Sequence, residues 1–558
     1  MASATVDEVN RIVSNARPGW SDSARRLLLE AAVRLDALRI APRAALLAGW
    51  WRLLGKRLRA RSVIAPLLGR SALAYRLWLA QGGDREVQPV PAPAHRDVAI
   101  LALVVAGEGQ DRTLASLAAE GIDSALVPAG QAPDASVAER ALERGGWLLP
   151  MAAGDRLAAG AGASYRAAAA RAGPDDRAIY ADDDILDARG RRAEPHFKPD
   201  WNAELYRWLD YASGAAILRA DRREVANLPA DDWAAALTRR VIARAPAAPI
   251  HLRRVLHHRR ARPAPAEPPP AQVGTAELPP VTVIVPTRNR CDLLRTCLEG
   301  VARTAYPGRV ETIVIDNDSD DPATLEYLAA LDPVCVRVLR QPGRFNFAAM
   351  NNRAVDAASG ELLCFLNNDI EIAEPDWLAA MAVQAMRPDV GAVGARLLYP
   401  DGRIQHAGVV LGIGGGAAHA HRLLLPGEPG YFRRHALPQF VSAVTAACLV
   451  VRRDRFLAVD GFDAENFAVA FNDVDLCLKL NRRGWQSLYE PRATLVHHES
   501  VSRGLDRDRA GATRLAGELA ALKRRWGTGG TAVDPFHHPS LSPFSERFVV
   551  RIQGCQLR

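Results

Sequence analysis

Residues 362–372 read LLCFLNNDIEI, an apolar run that stops on Asn367, Asn368 and Asp369. The run suits a buried strand, so a charged group at its end needs a reason. An unpaired buried carboxylate costs several kcal/mol or takes up a proton, so Asp369 is either solvated in a loop or faces a cation.

The neighbouring sequence repeats the pattern. VTVIVP (281–286), VETIVID (310–316) and VRVLRQ (336–341) are short apolar runs, and RCDLLRTCLEGVART (290–304), PATLEYLAAL (322–331) and FAAMNNRAVDAA (347–358) between them have helical spacing. Strands alternating with helices predict an α/β fold with a mainly parallel sheet and right-handed crossovers. Such sheets bind ligands beyond the carboxyl ends of their strands. That rule gathers Pro286, Thr287 and Arg288, then Asp316 and Asn317, then Asn367 to Asp369, on one rim.

A chain of 558 residues is several times a typical domain, which predicts at least two. With 49% hydrophobic and 24% charged residues it has the composition of globular protein. Residues 1–90 read as a basic helical region, 95–260 as a first α/β unit, 261–280 as a Pro-rich connector, 281–535 as the second α/β unit and 536–558 as a tail. The seven cysteines all follow residue 290 without C-x-x-C pairs, which suits reduced core residues rather than zinc ligands. The polar, acidic start and the lack of a long apolar run predict neither a signal peptide nor a membrane span.

Part of the net charge of +8 lies in WWRLLGKRLRARSVIAPLLGR (50–70), where Trp50, Trp51, Leu53, Leu54 and Leu58 alternate with Arg and Lys. That segment is either an interfacial amphipathic helix or a solvated helix packed on a neighbour. No nucleic-acid motif accompanies the charge.

Several carboxylates and histidines are candidates for chemistry. Asp316 opens DNDSDD and either caps a turn or contacts a nucleotide base or ribose. Asp369 suits a hard divalent cation, Mn²⁺ or Mg²⁺, but one carboxylate holds such an ion weakly. VHHES (496–500) offers His497, His498 and Glu499 as further ligands or as structural groups. In FNDVDLCLKL (471–480), Asp473 and Asp475 stand about 200° apart around a helix, so only one can face a given pocket. Asp473 then becomes the candidate general base and Asp475 a dipole partner or supporting group near the substrate, unless both are caps. GIGGGAA (412–418) matches neither a phosphate loop nor a dinucleotide fingerprint and reads as a flexible loop; no G-x-S-x-G elbow occurs.

Together VTVIVPTRNR, VIDNDSDDPATLEYL, FNFAAMNNRAV, GELLCFLNNDIEI, VGAVGARLLYPDGRIQHAGVVLG, AACLVVRR, GFDAENFAVAFNDVDLCLKLNRRGW and HHES resemble, in that order, family 2 glycosyltransferases of GT-A fold that build O-antigen and capsule-type polysaccharides. The resemblance implies inverting transfer from a UDP-, dTDP- or GDP-linked sugar to a saccharide or lipid-linked acceptor on the cytoplasmic side of the membrane. It implies nucleotide or substrate contacts at Thr287, Asp316, Asn346 and Asn351, a metal ligand at Asp369, a base at Asp473 and a late metal ligand at His497 or His498. Here NND replaces an acidic-x-acidic motif, which leaves one carboxylate fewer for a cation. The Gly-rich loop and HRLLLPGEPGYFRR (421–434) are candidate lids.

IYADDDILDARGRRAEPHFKPDWNAELYRW (179–208) and HLRRVLHHRR (251–260) resemble a first transferase domain upstream of such modules. LLPMAAGDRL (148–157) keeps Asp155 but has Ala152 and Gly154 where acids are expected, which reads as a degenerate copy. Asp182, Asp183 and Asp184 bind an acceptor or metal, or form an exposed acidic turn. Two other classes compete: a nucleotidyltransferase using Arg288 and Arg290, and a noncatalytic sugar-nucleotide scaffold.

Overall fold

The structure, a computed structural model, describes residues 22–84, 98–142, 146–271, 278–498, 509–528 and 534–553. The expected linker at 87–96, residues 272–277 of the connector, and Glu499 lie outside these residues. No helix among the described residues is long and apolar enough to cross a membrane.

Four helices open the described chain: α1 (Asp22–Ile40), α2 (Pro42–Leu53), α3 (Arg57–Gly69) and α4 (Ala74–Ala80). Leu29, Val33 and Ala37 of α1 recur every fourth residue and bury against Leu67, Leu68, Leu73 and Leu77. Tyr75 and Trp78 of α4 then pack on Phe197 of the first α/β unit.

Among its described residues the first unit has eight strands: β1 (Ile100–Val105), β2 (Asp123–Val127), β3 (Trp147–Met151), β4 (Arg156–Leu157), β5 (Ala178–Leu186), β6 (Arg192–His196), β7 (Ala216–Leu218) and β8 (Ile250–Arg259). Their order is β2-β1-β3-β7-β5-β8-β4, with β6 on β5. The second unit begins β9 (Val281–Thr287), β10 (Val310–Asp316), β11 (Val336–Arg340), β12 (Leu362–Leu366) and β13 (Ile370–Glu371). It continues β14 (Val390–Leu398), β15 (Ile404–His406), β16 (Val409–Leu411), β17 (Ala417–His419), β18 (Gln439–Val441), β19 (Cys448–Arg452) and β20 (Gln486–His497). The second sheet runs β11-β10-β9-β12-β19-β14-β20-β13.

From β2 and β10 onward the two sheets have the same order and the same strand directions. β3 and β12 are parallel to β1 and β9; β7 and β19 are antiparallel to both neighbours; β8 and β20 are parallel to β5 and β14. Two tandem α/β domains are therefore present, each with a mixed sheet. The expectation of a mainly parallel sheet holds for β11, β10, β9 and β12 and ends at β19, whose register brings residues 445–447 to the same edge as the end of β12.

The alternation of side chains decides what β12 does. Leu362, Cys364 and Leu366 enter one core layer with Val281, Val283 and Val285, while Leu363 and Phe365 enter the other with Ile284. Helices α5 (Cys291–Ala302), α6 (Pro322–Ala330) and α8 (Trp377–Ala385) cover the first layer, and α7 (Phe347–Ala357) and α9 (Asn472–Arg482) the second. With both faces covered, β12 ends buried, and Asn367 emerges directly at the sheet edge. Cys297, Cys364, Cys448 and Cys477 are free and buried within these layers.

Residues 534–553 form a packed strap. Asp534 accepts from Leu411 N–H at 2.8 Å, Phe536 O accepts from Arg434 at 3.0 Å, and His538 Nε2 lies 3.0 Å from Asp182 of the first domain. The domains also meet directly, through Arg387 and Glu204 at 2.6 Å and through paired hydrogen bonds between Asn202 and Phe440.

Candidate active site

A cleft of about 1160 Å³ opens at the carboxyl ends of β9 and β12. Pro286, Thr287 and Arg288 line it from β9, and Asn367, Asn368 and Asp369 from β12. Thr445 and Ala446 before β19, and Phe471 and Asp473 around the start of α9, complete that wall. Asn368 Nδ2 donates to Thr287 Oγ1 at 3.0 Å, which ties the two strand ends together. Three non-glycine residues with left-handed backbone line it: Asn289 (φ 55°), Arg290 (φ 57°) and Phe471 (φ 62°). Such conformations cost about 1–3 kcal/mol each and persist where the surroundings impose them.

Asp369 and His497 form the centre of the floor. His497 Nδ1 donates to Gln405 Oε1 at 2.7 Å, which leaves the lone pair of Nε2 facing Asp369 Oδ1 at 3.1 Å. Two lone-pair donors this close, both largely buried, fit a shared cation between them. The hydrogen bond from Nδ1 to a neighbouring acceptor is the arrangement that orients a metal-bound imidazole. Carboxylate plus imidazole suits Mn²⁺, with Mg²⁺ less favoured because it prefers oxygen throughout. Asn367 Nδ2 lies 3.3 Å from the same nitrogen.

His498 is not part of this floor. Successive residues of a strand point to opposite faces, so His498 turns outward and meets Glu371 at 2.9 Å. Its backbone N–H still donates to Asp369 O at 3.0 Å, which fixes the end of β20 against the β12–β13 turn.

Asp473 reaches the cleft from the first turn of α9. Its Oδ2 accepts from Ala446 N–H at 3.1 Å and its Oδ1 from Val474 N–H at 2.8 Å. Burial raises its pKa from the ordinary aspartate value and outweighs those hydrogen bonds, which lower it. A carboxylate with raised basicity in a cleft is what a general base requires. Asp475 points the other way and accepts from Arg525 and Trp526 Nε1, both at 2.9 Å.

The remaining expected residues have structural partners away from the cleft lining. Asp316 accepts from Ser319 N–H at 3.0 Å and pairs with Arg340 at 3.1 Å, while Asn317 Nδ2 donates to Gln341 O and Gly343 O. Asn346 caps α7 by accepting from Ala349 N–H at 2.9 Å, and Asn351 donates to Phe347 O at 2.8 Å inside that helix. All four thus have partners in turns, caps and helix packing. The two lid candidates also separate. The Gly-rich stretch is the tight end of the β16–β17 hairpin, whose Ala417, Ala418 and His419 face the cleft. Segment 421–434 instead bridges the domains: Leu423 and Leu424 pair with Ile404, and Tyr431 OH is bonded to Phe197 N–H and O.

Four arginines line the cleft: Arg288, Arg290, Arg344 and Arg514. Arg344 follows β11 in PGRFNF, a turn signal that gave no hint of its direction, and Arg514 comes from α10 (Arg509–Trp526), which has no sequence link to the sheet edge. His419 also went unread; its Nδ1 lies 2.7 Å from His406 Nδ1.

In the first domain the equivalent place is filled by the protein itself. Strand pairing sets Arg156 opposite His258 on β4–β8, as it sets Ile370 opposite His497 on β13–β20, so Asp155 corresponds to Asp369. Asp155 accepts from Arg260 N–H at 2.8 Å and its pKa is pushed up to about 6 by burial. His258 is bound to Asp184 at 2.6 Å, and Asp183 to Lys198 at 2.7 Å and to Arg262. Asp182, Asp183 and Asp184 are fully buried on β5, which overturns the exposed acidic turn. Asp182 approaches His251 and His538 at 3.0 Å each, close enough for the three to hold an ion. Ser540 N–H, however, donates to His538 Nδ1, which puts that ring's proton on Nε2, facing Asp182. The cluster is therefore a hydrogen-bonded clasp for the C-terminal strap.

Fold and cleft together define a tandem α/β protein with a polar cleft at the carboxyl edge of its second sheet. The chain belongs to glycosyl transferase family 2, whose profile matches residues 282–454. It is 40% identical over 426 residues to the uncharacterized protein y4gI of Sinorhizobium fredii, covering 68% of this chain and 46% of that one. It is 34% identical over 411 residues to the O-antigen biosynthesis protein RfbC of Myxococcus xanthus, covering 66% and 32%. It is 30% identical over 219 residues to the N-acetylglucosaminyl-diphospho-decaprenol L-rhamnosyltransferase of Mycobacterium tuberculosis, covering 35% and 69%. The chain spans less than half the length of the first two of these relatives.

Proposed function

We propose that the protein is an inverting glycosyltransferase that moves a sugar from a nucleotide-sugar donor to an acceptor hydroxyl during synthesis of a cell-surface polysaccharide of O-antigen or capsule type. The observation that carries this reading is the meeting of the Asp369–His497 lone pairs, the Asp473 carboxylate and four arginines in one cleft. The names of the Myxococcus and Mycobacterium relatives support the polysaccharide context and a saccharide or lipid-linked acceptor. UDP, dTDP and GDP remain the candidate carriers.

In this reading Asp473 accepts the proton of the acceptor hydroxyl as its oxygen attacks the anomeric carbon from the face opposite the leaving group, which inverts that centre. Arg288, Arg290, Arg344 and Arg514 attract and orient the donor diphosphate. Asp369 and His497 would hold a divalent cation, which would supply Lewis-acid neutralisation of charge on the departing nucleotide. The β16–β17 hairpin limits the access of water, which would otherwise hydrolyse the donor. The first domain is a noncatalytic copy, because Lys198, Arg259 and Arg262 neutralise its acids from within. We place the protein on the cytoplasmic side as a peripheral membrane protein, with no nucleic-acid partner.

The test is isothermal titration with UDP, dTDP and GDP, with and without Mn²⁺, on the wild type and Asp369→Ala. Metal-dependent binding of one nucleotide, lost in the variant, is the expected result. Failure of all three to bind under any condition would overturn the reading in favour of a scaffold.

A further inference from the structure

We infer that the hairpin of α2 and α3 is a docking surface for an anionic phospholipid bilayer. This extends the peripheral contact proposed above by naming the surface that makes it.

Helix α2 is amphipathic in the wrong sense for a helix that only packs on its own protein. Its small residues Ala44, Ala45 and Ala48 face inward, the first two against the cluster around Leu29 and Leu67. Its large ones face out: Leu46 is 67% exposed, Trp50 58% and Leu53 83%, at the i, i+4, i+7 spacing of a single stripe, with Leu47 and Leu54 beside them. Of the fifteen large hydrophobic residues exposed among the described residues, nine fall between Leu27 and Leu54. Single exposed leucines need no explanation, but a concentrated patch marks an interaction site.

Charge chooses the occupant. Residues 37–83 contain nine arginines and lysines and no aspartate or glutamate. Arg43, Arg52, Lys56, Arg57 and Arg59 are exposed and have no acidic partner among the described residues. Cores of protein interfaces exclude charge, lysine above all. Here Arg52, Lys56 and Arg57 surround Leu53 and Leu54 at the hairpin tip, where Gly55 makes the turn at φ 73°. Apolar side chains for the acyl boundary, ringed by cations for the headgroups, fit an anionic bilayer.

The same hairpin leads to the cleft. Pro66 and Leu67 of α3, with Arg70 just after it, wall a groove of about 660 Å³ with Leu519 and Phe544, and the groove shares Ala417, Ala418 and Phe471 with the cleft. A docked hairpin therefore gives an amphiphilic acceptor a short, partly apolar route from bilayer to cleft.

The experiment is co-flotation of the full chain with vesicles of phosphatidylcholine alone or mixed with phosphatidylglycerol. The wild type is expected to float with the anionic vesicles only. The variants W50S/L53S/L54S and K56E/R57E, all changes at exposed positions, are each expected to weaken binding about tenfold or more while nucleotide titration stays unchanged. Absence of wild-type flotation with anionic vesicles, or variants that float as the wild type does, would overturn the inference. A wild type that binds nucleotide but does not float with anionic vesicles sinks only this inference; a wild type that floats but binds none of the nucleotides sinks only the transferase reading.

Discussion

Replacing Asp473 with Asn separates chemistry from folding at the position proposed as the base. The carboxylate is held by two backbone donors, Ala446 N–H and Val474 N–H, and an amide can accept from only one of them. The other is left without an acceptor, at about 1–3 kcal/mol. Against this, burial raises the pKa of Asp473, so the folded protein carries the ionised form at a cost that is present above that pKa and relieved below it. The neutral amide removes that cost at neutral pH. The two effects oppose each other, and stability in urea is expected to change by no more than about 1–2 kcal/mol. Catalysis has no such compensation. Loss of a general base lowers kcat by about 10²–10⁴, equivalent to roughly 2.7–5.4 kcal/mol at 1.36 kcal/mol per decade. The assay is nucleotide release from the donor with acceptor present, measured across pH, beside titration of the nucleotide alone. Wild-type activity is expected to fall as pH drops through a pKa above the ordinary aspartate value of about 3.9, and the variant to lose that limb while its nucleotide affinity stays within about twofold. A variant with less than a tenfold loss of kcat, or with the limb intact, would refute the role of Asp473.

The other predictions concern neighbours that sequence spacing alone would treat alike. His497→Ala is expected to weaken Mn²⁺-dependent nucleotide binding about 10- to 100-fold, and His498→Ala to leave it within about twofold; equal effects in calorimetry would contradict the geometry of the floor. Asp475→Asn removes the charge paired with Arg525 and turns the Oδ2 that faces Lys479 at 3.5 Å into an amide donor, and is expected to cost about 1–3 kcal/mol in urea denaturation with nucleotide affinity retained, so a binding defect without destabilisation would count against its structural role. Burial lowers the pKa of His251, but Asp182 and Asp200 outweigh it and the net direction is up. The folded pKa then exceeds the unfolded value of about 6.5, so this stabilisation is present below that value and is lost as pH rises through the folded pKa. Thermal melts of His251→Gln should show less of that alkaline decline; an unchanged slope would dismiss the clasp. Asp155→Asn is expected to leave turnover within about twofold, and a large loss would make the first domain catalytic.

Much of the second domain was legible because its strands and helices are written in local periodicity. LLCFL is apolar at every position because β12 is covered on both faces, and the polar residues after it follow from where that cover ends. The phase of α9 was equally local: two residues apart on a helix cannot share a face, and Asp473 and Asp475 indeed have opposite surroundings. Asp316 was read in two ways because DNDSDD satisfies turn chemistry and ligand chemistry with the same atoms; only the tertiary structure supplies its contacts to Ser319 and Arg340.

By itself, then, the sequence determined the tandem α/β architecture of the second half, the rim at which its polar clusters gather, and the one carboxylate of α9 available to a cleft. These depend on residues within a turn or a strand of one another. Tertiary structure alone decided that His497 and not His498 meets Asp369, since that requires the register of β20 against β13. It alone brought Arg514 to the cleft from α10, filled the first domain's matching site with Lys198 and Arg262, and turned the leucines of α2 toward solvent. Each of these depends on the placement of elements far apart in the chain. Periodicity says which face of an element is apolar; what that face meets is set by packing between elements.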